Sequence, residues 1–266
     1  MGNANKNMQI ATWNINGIKA RLNEVEYWLR ANKPDIVCLQ EIKSIDENFP
    51  REIFEDLGYN VETHGQKSFN GVALLSLHPF EEVNRGLPGD DSDEQARFME
   101  CVISRPHGPV RIAGIYLPNG NPVDTEKFSY KLAWMDRLNA WTKSHLLLEE
   151  PLIIMGDYNI IPDRLDTHDH DAWWGDALYR PESLERFRTL QAMGMTDALR
   201  ACNNEQAYTF WDFQAGAWRR NNGIRIDHLM CSPQAADQLE SVAVHKDMRA
   251  REKPSDHVPV VGHFGF

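Results

Sequence analysis

The chain has 266 residues, 42% of them apolar, with a formal net charge of −11. That length allows one large α/β unit or two small ones, and the apolar share suits a protein with a sizeable core. No run of about 18 apolar residues occurs, which excludes a membrane-spanning helix. The acidic balance counts only weakly against a nucleic-acid partner, because binding is decided by one face and not by the sum of charges.

Residues 1–8 lack the apolar stretch of a secretory signal and are expected to be a disordered extension, ahead of a single domain over 9–266. A first strand is expected at 10–15. A short helix follows at 24–31, with Val25, Trp28 and Leu29 on one face. Pro34 opens an apolar run at 35–39, short enough for a buried strand. Further strand-like runs lie at 71–76, 99–104 and 110–116. Phe128, Leu132, Met135 and Leu138 recur at helical spacing. A strand at 152–155, a long polar segment at 164–181 and a helix near 184–193 come next, and strands at 224–230 and 258–264 close the series. The segment at 164–181 holds His168-Asp169-His170-Asp171 and Trp173-Trp174, and loops of that length are usually functional or disordered. Cys38, Cys101, Cys202 and Cys231 are widely spaced and form no C-x-x-C pair, which disfavours zinc and fits a reducing cytoplasm.

The strand ends share a pattern. Asn14 and Asn16 end the first strand, Glu41 the second, Tyr116 and Asn119 another. Asp157 and Asn159 follow 152–155, Asp227 falls within 224–230, and Asp256-His257 precedes the last strand. Each residue has a bland reading: asparagines suit turns, Gly156-Asp157 is a common turn dipeptide, and a lone histidine is often structural. Together they gather carboxylates at one rim, where mutual repulsion is costly unless a cation balances it. The set is rich in oxygen and free of thiols, which suits magnesium or manganese and the hydrolysis of a phosphodiester.

These residues sit in motifs that resemble the exonuclease III family of the endonuclease/exonuclease/phosphatase superfamily. The carrying segments are Thr12-Trp13-Asn14-Ile15-Asn16-Gly17, Pro34-Asp35-Ile36-Val37-Cys38-Leu39-Gln40-Glu41-Ile42-Lys43, Gly86-Leu87-Pro88-Gly89-Asp90-Asp91, Gly156-Asp157-Tyr158-Asn159-Ile160, Asn221-Asn222-Gly223-Ile224-Arg225-Ile226-Asp227 and Lys253-Pro254-Ser255-Asp256-His257. The resemblance runs from about residue 9 to 264 in the family's order. Two departures stand out: Asp197-Ala198-Leu199-Arg200 replaces the family's Asp-Ser/Thr-Phe-Arg, and the 164–181 segment differs. Both leave the metal site intact and bear on DNA contacts.

The resemblance implies an α/β (α+β) fold of two packed mixed β-sheets flanked by helices, a four-layer sandwich of the DNase I-like type. It implies a monomer acting on double-stranded DNA with abasic sites or blocked 3′ ends, using one or two Mg2+ ions for which Mn2+ can substitute. Glu41 is expected as the main metal ligand, supported by Asn14 and Asp256, with Asp157, Asn159 and His257 also candidate ligands. Asp157 is expected either to orient and deprotonate the attacking water or to contact a second ion, with Asn159 holding the water or the phosphate. Tyr116 and Asn119 would bind the scissile phosphate, and His257, oriented by Asp227, would donate to one of its oxygens. Asn16, Lys19, Arg21 and Arg97 are candidate contacts to backbone phosphates. Phe210, Ile224 and Ile226 match the pocket for a base-less sugar. His168 and His170 are expected in a solvated loop, with Trp173 and Trp174 either stacking on an unpaired base or packing the loop down. The rival expectations are a superfamily phosphatase or RNA-acting enzyme, and a catalytically silent binding relative.

Overall fold

The computed structural model describes residues 7–106 and 108–266. The expected extension therefore lies outside the described residues except at Asn7 and Met8, and Met8 is already a buried residue of the first strand. The strands in chain order are β1 (Met8–Asn14), β2 (Ile36–Gln40), β3 (Asn60–His64), β4 (Val72–Ser76), β5 (Glu82–Arg85), β6 (Phe98–Arg105), β7 (Gly108–Tyr116), β8 (Leu152–Asp157), β9 (Thr196–Asp197), β10 (Asp227–Cys231), β11 (Leu239–Val244) and β12 (Val260–Phe264). They form two sheets, in the orders β11-β12-β1-β2-β4-β3 and β5-β6-β7-β8-β10-β9. Each sheet has one central parallel pair, β1 with β2 and β7 with β8, among antiparallel neighbours.

Period-two alternation explains the layering. Ile36 and Cys38 of β2 face the second sheet, in a cluster with Leu74, Ile112 and Met155. Val37 and Leu39 face outward, under Val25, Trp28 and Leu29 of helix α1 (Ile18–Asn32) and Phe54 of the short helix α2 (Arg51–Glu55). The outer face of the second sheet is covered by α3 (Glu126–Leu146) and α4 (Pro181–Ala192), through Trp134, Leu138 and Phe187 against Ala113, Ile115 and Ile154. The result is the four-layer sandwich of two mixed sheets between helices. The sheets approach closely at Gly114, where a Cβ would lie 2.3 Å from Cys38 Sγ. Thr125 caps α3 by accepting from the Lys127 amide, and Pro181 occupies the first turn of α4, where a missing N–H costs nothing.

Several sequence boundaries shift. The first helix begins at Ile18 and not at 24, because Ile18 reaches the same apolar layer about two turns before Val25. On α3 the fully buried partner of Phe128 is Lys131, while Leu132 is only partly buried. The expected strand at 224–230 starts at Asp227; residues 224–226 are held by bridges from Ile224 to Thr167 and Phe210. The 164–181 segment is no solvated loop throughout: Asp166, Thr167, Ala177, Leu178 and Tyr179 are buried. Three cysteines are buried and Cys202 is exposed, all as free thiols. No helix among the described residues is long and apolar enough to cross a membrane.

Candidate active site

The two parallel pairs end at a common rim, and their registers assemble the site. In the second sheet Tyr116, Asp157 and Asp227 stand opposite one another across β7, β8 and β10. In the first sheet Asn14 stands opposite Gln40, and the next residue, Glu41, leaves the strand with φ 50. Asn16 and Asn159 also take positive φ, 47 for each, which asparagine tolerates better than most residues. Asn14 joins the sheets: its amide nitrogen donates to Glu41 Oε1 at 2.9 Å and to Asp157 Oδ2 at 3.0 Å. Its amide oxygen accepts from the Asn16 backbone at 3.0 Å.

On the second-sheet side, His257 Nδ1 lies 2.8 Å from Asp227 Oδ2, and its Nε2 lies 3.8 Å from Asp157 Oδ2. Burial would lower the imidazole's pKa, but the carboxylates of Asp227 and Asp157 outweigh it and hold it well above the usual histidine range. Burial lifts the Asp157 carboxyl above the usual carboxylate range; Asp227 adds to this, and His257 opposes it. Asp157 Oδ1 accepts the Asn159 amide at 2.8 Å. Asn159 in turn donates to Leu117 O at 2.9 Å and accepts from the exposed Asn119 side chain at 3.1 Å. Burial, with Glu41 and Asp157 nearby, keeps the Tyr116 phenol strongly protonated.

On the first-sheet side, Lys43 takes a part that its motif alone does not disclose. Its Nζ lies 2.9 Å from Glu41 Oε2 and donates to Asn16 Oδ1, while Asn16 Nδ2 donates to Asp256 Oδ1 at 3.1 Å. Burial would raise the Glu41 carboxyl, but hydrogen bonds from Asn14 and Lys43 and the Lys43 charge hold it below the usual range. The oxygens of Glu41 and Asn16 thus converge on a cation of the chain itself, and Asp157, Asp227 and His257 can each bring a ligand atom within 4.8 Å of the others. A set dominated by carboxylate and amide oxygens, with one imidazole and no thiol, fits a hard divalent ion.

The candidate phosphate contacts divide. Lys19 is exposed and lines, with Lys43 and Lys67, a cleft of about 360 Å3. Arg21 is half-buried and braces the Asn16 carbonyl at 3.0 Å. Arg97 lies over the Tyr116 ring, 4.7 Å from its centroid, and bonds Gln95 and the Tyr116 carbonyl. Arg97 and Asn119 also line a groove of about 600 Å3 beside Phe69 and Tyr130. Of the pocket candidates, Ile224 and Ile226 are buried in the core under α3 and α4, and half-buried Phe210 packs edge-on against His257 with ring centroids 4.9 Å apart. His168 and His170 join no metal-ligand cluster among the described residues. Trp173 packs against the core, whereas Trp174 is 72% exposed.

Two buried cations are not evident from the sequence. Arg225 bonds both Asp166 and Asp197, and Lys131 bonds three carbonyls beside the site; burial pushes the Lys131 ammonium down to about 7. For Lys131 only its burial could have been read, since it stands three residues after Phe128 on the apolar face of its helix; its partners could not.

The fold and this rim of carboxylate, amide, phenol and imidazole groups are those of a phosphoesterase sandwich. The endonuclease/exonuclease/phosphatase family matches residues 11–257. An exodeoxyribonuclease III of Haemophilus influenzae is 34% identical over 97% of this chain and 100% of its own. A solved AP endonuclease from Archaeoglobus fulgidus superposes with a TM-score of 0.92 at 34% identity, covering 97% of this chain and 99% of its own. A 3′-5′ exonuclease of Neisseria meningitidis does so at 0.93 and 35%, covering 97% and 100%. The chain belongs to the endonuclease/exonuclease/phosphatase family and, within it, to the exonuclease III family of nucleases.

Proposed function

We infer that the chain is a DNA-repair phosphodiesterase that cleaves 5′ to abasic sites, degrades DNA 3′→5′ and trims blocked 3′ ends. One observation carries the reading: Tyr116, Asp157 and Asp227 stand in one cross-strand row with His257 on it, tied by Asn14 to Glu41 of the other sheet. The relatives support the substrate: besides those above, a Neisseria 3′ phosphatase, 35% identical, was solved with a product DNA hairpin, and a Danio rerio relative, 28% identical, is a DNA repair nuclease.

Glu41 and Asp256, with Asn14 and Asn16 fixing them, are the residues to hold magnesium, or manganese in its place, as one ion or two. Held there, such an ion would supply positive charge to offset that of the phosphate and of the departing 3′ oxygen. Asp157 takes the proton of the attacking water, which Asn159 holds in line with the phosphorus. A buried carboxyl with a raised pKa is suited to that task. Asn119 and Tyr116 bind the scissile phosphate, Arg97 steadying the phenol from behind. His257, aimed by Asp227, donates from Nε2 to a phosphate oxygen and stabilises the charge that grows there. Phe210 borders the sugar site beside His257, and Lys19 and Arg21 guide the backbone. The protein acts as a monomeric single domain, and its free cysteines suit the cytoplasm.

The test incubates the protein with an abasic-site duplex and with a nicked duplex bearing a 3′-phosphate, with and without magnesium. Cleavage of both in magnesium is expected, and Glu41→Gln should lose most turnover and regain part of it at high magnesium. Full activity in excess chelator would overturn the reading.

A further inference from the structure

Lys131 lies on α3 with 0% exposure. A buried ammonium loses its hydration and persists only if the lost hydrogen bonds are replaced. Its Nζ donates to the carbonyls of Asn119 at 3.0 Å, Asn159 at 2.7 Å and Ala177 at 3.1 Å. The three acceptors belong to two connections: Asn119 to the one from β7 to α3, and Asn159 and Ala177 to the start and the end of the one from β8 to α4. Three N–H donors meet three carbonyls, a match that an ammonium offers and a neutral side chain of the same length does not. The backbone closes over the stem at Gly120, where φ is +89 and a Cβ would lie 2.6 Å from Lys131 Cδ.

Asn119 and Asn159 are bonded to each other through their side chains, and Asn159 is bonded again to Leu117 O. The ammonium therefore fixes the main chains of the two asparagines that the proposed reaction places at the phosphate and at the water. Through Ala177 it ties to them the segment that carries Trp173 and Trp174. Ser183 Oγ donates to the same Ala177 carbonyl at 2.8 Å, so this anchor is shared with the start of α4.

We propose that Lys131 is a positioning residue for phosphodiester hydrolysis: its ammonium sets Asn119 and Asn159 in register with each other and locks the 164–181 segment to them through Ala177. The proposal rests on the function inferred above. A displacement of about 1 Å at reacting groups can lower a rate by on the order of a hundredfold, while DNA held by many backbone contacts stays bound.

Lys131→Met keeps the stem and removes the donors. Kinetics on an abasic duplex are measured well below the variant's melting temperature, with native circular dichroism established first. The expected result is a kcat at least about tenfold lower with KM within about threefold. A folded variant with kcat within twofold of the parent, or with a raised KM alone, overturns the proposal. Should Lys131→Met fail to fold, Lys131→Arg, which keeps the charge but moves the donors outward, is compared with the parent in the same way, and the same changes in kcat and KM support or overturn the proposal. Asp157→Asn runs alongside. An active Asp157→Asn overturns the reading of the groove and this inference with it; an inactive one beside a fully active Lys131 variant overturns the inference alone.

Discussion

Asn14 is uncharged, yet its amide keeps Glu41 and Asp157 one hydrogen bond from a common group. Two carboxylates from different sheets can then share a rim without repelling each other apart, as the proposed division of labour between ion and water requires. Asp157→Asn keeps the size of the side chain and removes its basicity. Turnover should fall by at least about a hundredfold while DNA binding persists; single-turnover cleavage and a DNA titration check both halves. Phe210 separates specificity from packing. It is half-buried beside His257, unlike Ile224 and Ile226, which are fully packed. Phe210→Ala should reduce the preference for abasic over intact duplex more than it lowers stability, and an unchanged cleavage ratio with a large drop in melting temperature would remove it from the sugar site. The rim residues are legible in the sequence because polar groups ending apolar runs are conspicuous. The roles of Lys43 and Lys131 are not, since a lysine's partners depend on carbonyls and carboxylates far away in the chain.

At the level of elements, the buried strands β2, β4 and β8 can be read from unbroken apolar runs. The edge strands β3, β5 and β11 cannot, because their solvent-facing residues are polar and their pairing partners lie elsewhere in the sequence. The 164–181 segment misleads for another reason: its anchors are ionic. Asp166 has 0% exposure and receives Arg225 Nε at 2.6 Å as well as Arg200, and Arg225 also donates to Asp197 Oδ2 at 2.7 Å. Removing the cation takes away the guanidinium partner of buried Asp197 and leaves Asp166 with Arg200 alone, so Arg225→Leu should cost about 3–5 kcal/mol in urea unfolding and open the segment to limited proteolysis. A stability equal to the parent's would refute the anchoring. His228 belongs to the same network, with Nδ1 facing Arg225 Nη1 at 3.0 Å and Nε2 facing Ile160 O at 3.1 Å. Burial, then the Arg225 charge, pushes its pKa down to about 4. The unfolded chain therefore binds a proton that the folded chain refuses between about pH 6.5 and about 4. The contribution is fully present above that window and is lost as pH falls through it, by about 1.4 kcal/mol per pH unit. His228→Gln should flatten this part of the stability profile; an equally steep loss would assign it to other groups.

For the molecule as a whole, the net charge of −11 and the lysine-lined cleft beside Glu41 would make the proposed DNA binding a local attraction within a repelling field. With Lys19, Lys67 and one or both of Arg21 and Arg97 facing phosphates, the affinity should fall with log salt at a slope of roughly −3, and Lys19→Ala should lower its magnitude by about 0.9. A slope near zero would mean that the cleft does not touch the backbone. The chain's path through the sheets carries a separate consequence. It lays down β1 to β4, crosses to the second sheet for β5 to β10, and returns with β11 and β12, so that β1 stays an open edge until β12 pairs with it at Ala11↔Val261 and its neighbours. Asp256 and His257 arrive on the same return. During synthesis, the groups that could cut DNA are thus completed only by the strand that also seals the first sheet. A ribosome-bound chain halted before that strand would hold Glu41 and Asp157 but lack Asp256 and His257, and is expected to leave DNA uncut until the strand arrives.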